Sequence, residues 1–293
     1  MNYSFAPKVR EENHGDHGEH GGEETTWAKD SEFPSIKYIP VLPVLPVVGF
    51  HAAYAILLIA ILLAFAACER NALAPADGDV VVVAQKIVSK AEGRYVDLAK
   101  VKPSPGAASL AAEVNKDPRL VEVILSESRR VVRQRPGVLI VEHRLGFIMA
   151  NAGVDRSNID PDVAAEPVLL LPSDPDASAA RLRERLAAHF RSRPGVIVTD
   201  SWGRAWRRGT VGVALGVAGL PALIDMRGRP DLFGHALRVT QTGFADEIAS
   251  AASLVMGQAD ERRPMVLVRG VSWSGSPLPG AALIRPAEED LFR

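Results

Sequence analysis

The chain carries a single cysteine, Cys68, in 293 residues. This excludes an intramolecular disulfide and any cysteine-based zinc cluster, and it suits a reducing cytoplasm. Histidine is scarce too, at 14, 17, 20, 51, 143, 189 and 235, so a metal here is expected to be oxygen-bound. Neither GxxxxGK followed by Ser or Thr nor GxGxxG occurs. That rules out a P-loop and a Rossmann turn as the means of holding a nucleotide. The formal net charge is only -1, so no global field points to nucleic acid. The first residues lack the n-region and h-region of a signal peptide. What is present is a chain 47% hydrophobic and 24% charged, long enough to bury a substantial core in one or two domains.

Residues 1–33 are polar, without apolar periodicity, and contain the cluster His14-Gly15-Asp16-His17-Gly18-Glu19-His20. They read as a disordered tail that cannot offset its ordering entropy, although its histidines suit a divalent metal. The remainder, 34–293, reads as one catalytic domain. It opens with the proline-interrupted segment Ile39 to Gly49, which cannot be helical. From Ala52 to Cys68 there is no charge at all. Such a run fits a core helix apolar on every side or a short membrane span, about 20 residues being usual for the latter.

Val80 to Ala84 reads as a buried strand, followed by Gln85, Lys86, Ser89 and Lys90, a plausible phosphate contact. Asp117-Pro118 and Asp174-Pro175 are helix starts, Asp as N-cap and Pro at the first helical position. The first helical stripe takes in Leu120, Val121, Ile124, Val131 and Val132 before Pro136-Gly137 stops it. Val138 to Val141 is a strand leading towards a loop in which Asp155, Ser157 and Asn158 offer oxygens. A short strand is expected at Val168 to Pro172, a helix from about Asp246 to Met256, and a last strand at Val266 to Val268.

The most suggestive stretch is Val196 to Gly209. Its β-branched run delivers Asp200 and Ser201 at a strand end, and an arginine-rich loop with Arg204, Arg207 and Arg208 follows. Read alone, this is either a solvated loop or a site. In the second case the hard oxygens suit Mg²⁺ or Mn²⁺ and the guanidinium forks suit phosphate or carboxylate.

Taken together, several strings resemble one family, the coenzyme F420:L-glutamate ligases. They are Gln85-Lys-Ile-Val-Ser-Lys-Ala-Glu-Gly93, Glu142-His-Arg-Leu-Gly-Phe147, Asn151-Ala-Gly-Val-Asp-Arg-Ser-Asn158, Thr199-Asp-Ser-Trp-Gly-Arg204 with Trp206-Arg-Arg-Gly209, and Met256-Gly-Gln-Ala-Asp-Glu261. The resemblance implies an α+β (mixed α/β) fold of two intertwined lobes, neither P-loop nor Rossmann, in a homodimer. It implies that Asp155, Asp200, Ser201 and Gln258 hold two divalent cations, Mn²⁺ or Mg²⁺, with K⁺ as a monovalent addition. It places GTP at Gly49, Gln85, Lys86, Lys90, Asn158, Met256, Gly257, Gln258, Ala259, Asp260 and Glu261.

The implied chemistry is amide ligation. A carboxylate of the deazaflavin precursor takes the γ-phosphoryl group of GTP, and L-glutamate displaces phosphate from the acyl phosphate. Asp155 and Asp200 would act at the reacting centre, and Arg204 and Arg207 are candidate anchors for the anionic substrates. One departure is visible: Pro46-Val-Val-Gly49 is followed by Phe50-His51-Ala52-Ala53-Tyr54 where the family has a polar loop. It leaves an alternative, a metal- and nucleotide-binding homologue with weakened or lost activity, membrane-tethered if 52–68 is a span.

Overall fold

The computed structural model describes residues 35–38, by backbone alone, and residues 74–291. The tail 1–33, Gly49 and the uncharged run 52–68 lie outside the described residues. Strand β1 (Ser35–Tyr38) is followed by β2 (Val80–Ala84), which passes directly into helix α1 (Gln85–Ala91). Next come β3 (Tyr95–Asp97), α2 (Pro105–Val114), α3 (Pro118–Ser126), β4 (Ser128–Arg135), β5 (Val138–His143), β6 (Ile148–Ala150) and β7 (Pro167–Leu169). Helix α4 (Pro175–Phe190) leads to β8 (Gly195–Gly203), β9 (Thr210–Ala218), the two-residue β10 (Ile224–Asp225) and β11 (Gln241–Thr242), α5 (Phe244–Met256) and β12 (Met265–Arg269). The fold is α+β, as expected.

The principal sheet has the order β1-β12-β2-β8-β9, with β2 and β8 parallel and the other pairs antiparallel. β2, β12 and the first half of β8 are valine-rich runs buried on both faces, and their two-residue period sorts the side chains. Val81, Val83, Val196 and Val198 meet Val88 of α1 and Ala179, Leu182 and Leu186 of α4. Val80, Val82 and Ile197 meet Ala245, Ile248, Ala249 and Ala252 of α5 on the other face. Each fully buried valine or leucine contributes roughly 1.5–3 kcal/mol. Close approach matters at Gly216, where a Cβ would collide with the carbonyl of Pro175 in the first turn of α4.

Between α1 and α4 the chain builds a second lobe. Helices α2 and α3 cover the sheet β4-β5-β6 around Ala107, Val121, Ile124, Leu139 and Val141. The pair β3-β7 closes a smaller core with Leu98, Val123, Val168 and Leu170. The predicted caps are present: Asp117 accepts from the Arg119 amide at 2.8 Å and Asp174 from the Ala177 amide at 2.9 Å.

Two expectations change. Val131 and Val132 do not extend the helix begun at Pro118, which ends at Ser126; they lie in β4. Arg135 pairs with Val138, so Pro136-Gly137 is a two-residue hairpin turn, and adjacent β-branched residues favour the strand that precedes it. The β-branched strand at Val196–Thr199 likewise runs on further, so that Asp200 and Ser201, expected at its end, stand within β8 opposite Val213 and Gly212. The antiparallel partner β9 extends the strand to Gly203.

Glu127, just past α3, anchors the second lobe. Its carboxylate accepts from Arg94 at 2.9 Å and from Arg144 at 3.1 Å, and the buried His143 Nε2 lies 3.5 Å away. His143 Nδ1 accepts from the Leu145 amide at 3.0 Å, which leaves the ring proton on Nε2, facing Glu127. Burial alone would raise the Glu127 carboxyl, but the facing His143 ring, the hydrogen bond from Arg144 and the charges of Arg94 and Arg144 hold it down at about 2. A depressed carboxyl contributes stability that is complete above its ordinary value of 4.5 and is lost as pH falls towards 2. Chemical denaturation across that range should show Glu127→Gln costing on the order of 2–3 kcal/mol at pH 7 and losing the acid slope between pH 4.5 and 2. An unchanged slope would remove Glu127 as its source.

Candidate active site

The carboxyl ends of the parallel strands β2 and β8 open to one side of the principal sheet, where ligands of open α/β sheets are commonly bound. The first turn of α1, directly after β2, supplies Gln85 and Lys86. Lys90 follows one turn later on the same helix, because residues four apart share a helix face. β8 supplies Asp200 and Ser201. Strand alternation turns these two neighbours to opposite faces: Asp200 towards Gln85, Lys86 and Asp155, and Ser201 towards Gln258.

The second lobe contributes the loop after β6. Asn151, Ala152 and Gly153 all have positive φ, 53°, 53° and 68°, a tight left-handed turn that re-aims the chain. A bridge follows in which Asp155 and Leu169 exchange backbone hydrogen bonds of 3.0 and 2.9 Å. With its backbone thus fixed, Asp155 presents its carboxylate 2.7 Å from Lys86 Nζ. Lys86 also donates to Ser157 Oγ at 2.7 Å and to the Ser157 carbonyl at 3.0 Å, which uses the three donors of its ammonium. Lys90 Nζ donates to the Asn158 carbonyl at 2.6 Å, and Asn158 Nδ2 reaches the Ala259 carbonyl at 3.3 Å.

The third wall is the segment after α5. Gly257, at φ +75°, ends the helix, and a Cβ there would strike the Glu261 carboxylate. Glu261 in turn accepts from the Ala259 amide at 2.8 Å. Ser201 Oγ donates to Gln258 Oε1 at 2.6 Å. The structure therefore brings together Gln85, Lys86, Lys90, Asp155, Asn158, Asp200, Ser201 and the segment Met256 to Glu261. Arg204 and Arg207 stand apart, exposed in the turn beyond the last β8–β9 pair, Gly203 with Thr210. There Arg204 Nη1 is 3.4 Å from the Gly209 carbonyl. Two features were not foreseen: the packing of Trp202 on Phe147, ring centroids 5.7 Å apart, and the hydrogen bond from Ser89 to Gln85 at 2.8 Å. The four-residue spacing of the second pair was its only signal.

The electrostatics of the site are unbalanced. Burial and then the charge of Asp155 push the Asp200 carboxyl up to about 6, against hydrogen bonds from the Ser201 amide and Gln85. Burial would raise Asp155 too, but hydrogen bonds from Lys86 and the Ser157 amide hold it below the usual carboxylate range. Burial, then the proximity of Lys86, lowers the Lys90 ammonium. Among the described residues there is no group of three or more His, Cys, Asp or Glu side chains able to hold an ion. The donor set at hand is mixed: two carboxylates, a hydroxyl and an amide oxygen, all hard ligands. It fits a cation, since added positive charge would draw the Asp200 carboxyl back down towards its ordinary range.

A protein-family model described as F420-0:Gamma-glutamyl ligase matches residues 58–270. The chain is 47% identical over 219 residues to the coenzyme F420:L-glutamate ligase of Methanothermobacter thermautotrophicus, covering 74% of this chain and 85% of that one. It is 44% identical over 217 residues to the enzyme of the same name from Methanocaldococcus jannaschii, with the same coverage. With that of Methanopyrus kandleri it shares 47% over 222 residues, 74% and 86% of the two chains. The chain belongs to the F420-0:gamma-glutamyl ligase family. Every site residue placed above falls inside the matched stretch of this ligase-family member, whereas Gly49 precedes it.

The Lys86–Asp155 pair joins the two lobes at the site, with side chains 22% and 30% exposed. In a double-mutant cycle, Lys86→Met and Asp155→Asn should couple by about 1 kcal/mol in denaturant unfolding. Strictly additive effects would show that the pair contributes nothing.

Proposed function

We propose that this family member is a GTP-dependent ligase that joins the amine of L-glutamate to a carboxylate of the coenzyme F420 precursor. The observation that carries the reading is the convergence of four segments distant in sequence, 85–90, 155–158, 200–201 and 256–261, through hydrogen bonds at the strand ends. Family membership supports the ligation; GTP and the acyl phosphate are our extension.

Lys86 and Lys90 are suited to the triphosphate as point charges on one helix face. Asp155, Asp200, Ser201 and Gln258 would hold two divalent cations, Mn²⁺ or Mg²⁺, with K⁺ as an optional third. Bound there, such cations supply charge neutralisation for the triphosphate and the group in transfer. Asn158 and the backbone of Met256, Gly257, Gln258, Ala259, Asp260 and Glu261 would shape the nucleotide pocket, with Gly49 as a further contact.

In the first step a carboxylate oxygen of the precursor bonds to the γ-phosphorus, the bond to the β-phosphate oxygen breaks, and GDP departs with the electron pair. In the second the glutamate nitrogen bonds to the acyl carbon, phosphate leaves, and the nitrogen loses a proton. The protein acts chiefly by positioning both substrates and by electrostatic preorganisation. Arg204 and Arg207, exposed in the turn beyond the end of β8, are candidates to meet the anionic tail or the incoming glutamate. We also infer a homodimer in the cytoplasm. No helix among the described residues is long and apolar enough to cross a membrane. The family match starts at residue 58, inside the uncharged run, which supports that run as part of the catalytic domain over a tether.

The test is to incubate the full chain with GTP, Mn²⁺, L-glutamate and the precursor, then weigh the product. A glutamyl adduct with stoichiometric GDP, absent in Asp200→Asn, is expected. Nucleotide binding without any adduct would establish the alternative, a binding homogue without ligase activity; an adduct formed equally well with ATP would overturn the GTP assignment.

A further inference from the structure

The ammonium of Lys86 is fully engaged by its own chain. Its Nζ lies 2.7 Å from Asp155 Oδ2 and donates to Ser157 Oγ at 2.7 Å and to the Ser157 carbonyl at 3.0 Å. These contacts account for every proton an ammonium has to give, so a phosphate can be met only if one of them opens. The other Asp155 oxygen, Oδ1, accepts from the Ser157 amide at 2.7 Å. Lys90, one turn along α1, donates to the Asn158 carbonyl at 2.6 Å. Both lysines suited to a triphosphate are therefore turned onto the loop 155–158. A cation placed on Asp155 Oδ2 would stand against the Lys86 ammonium on the same oxygen, two positive charges at contact distance. The long lysine stem can relieve that conflict by swinging away, and the side chain is 22% exposed.

We propose that Lys86 is an internal counter-ion of Asp155 that a divalent cation displaces, and that the released ammonium then turns to the phosphates of the nucleotide. The inference rests on the cation and nucleotide reading of this site and deepens it, by giving the two ligands a shared contact to exchange. Asp155 trades one positive partner for another and Lys86 trades a carboxylate for a phosphate, so neither half-buried charge is left unpaired. The cation opens the contact that the nucleotide also needs opened. Each ligand thereby favours the other, and by linkage the factor is the same in both directions.

Mn²⁺ uptake by the full chain, read by electron paramagnetic resonance with and without GDP, tests it. Without nucleotide, Lys86→Met should bind Mn²⁺ about 10-fold more tightly than wild type, because a charge this near shifts such equilibria by a power of ten or more. Lys86→Arg keeps the positive charge and should stay within about threefold of wild type. The factor by which GDP tightens Mn²⁺ binding should shrink at least ~5-fold in Lys86→Met, since the exchanged contact is gone. Lys90→Met, whose ammonium is bonded to a carbonyl and not to Asp155, should change both quantities less. If Lys86→Met lacks a cooperative unfolding transition, Lys86→Gln takes its place. Unchanged or weaker Mn²⁺ binding on loss of the Lys86 charge, or equal tightening by Lys86→Arg or Lys90→Met, would overturn the exchange, while uptake by wild type with GDP would leave the cation reading standing. No uptake by any form, with or without GDP, would sink the cation reading and the exchange with it.

Discussion

Two carboxylates from two lobes meet around the ammonium of Lys86. Asp155 comes from the second lobe and Asp200 from the principal sheet. Lys86 sits 2.7 Å from the former and also attracts the latter. Lys86 is thus both a structural tie and a placeholder for positive charge. The imbalance it leaves is seen at Asp200, whose ionisation is opposed by burial and by Asp155. Added positive charge would relieve that push, which suits the site to a cation accompanying the anionic nucleotide proposed above.

The surrounding architecture keeps these groups at fixed distances. Parallel pairing of β2 and β8 aligns Ala84 with Thr199, so the residues that follow each emerge side by side. The left-handed turn at Asn151 to Gly153 and the backbone bridge to Leu169 hold Asp155 from behind. The cluster of Arg94, Arg144 and His143 on Glu127 ties α3, β5 and the chain after α1 together. None of these residues belongs to the candidate site, yet they fix the elements that carry it.

Much of this was legible in the sequence for physical reasons. The valine runs at 80–84, 196–199 and 266–268 are buried strands because their period and β-branching admit little else, and Asp-Pro pairs marked two helix starts. The resemblance then drew together residues that no local pattern could connect, such as Asp155 with Gln258. What escaped is equally physical. The stripe through Val131 and Val132 satisfied a helical spacing, but the two-residue turn at Pro136-Gly137 decided for a hairpin. Asp200 and Ser201 appeared to leave a strand, and only the partner β9 revealed that they remain within it and face opposite ways.

The central claim is that Asp155 and Asp200 form one cation site across the two lobes. Titration of the full chain with Mn²⁺ in the presence of GDP, followed by electron paramagnetic resonance, addresses it most directly. The account predicts saturable uptake by the wild type, weakened at least ~10-fold by Asp155→Asn and by Asp200→Asn alike. Equal affinity in the wild type and both variants would contradict it.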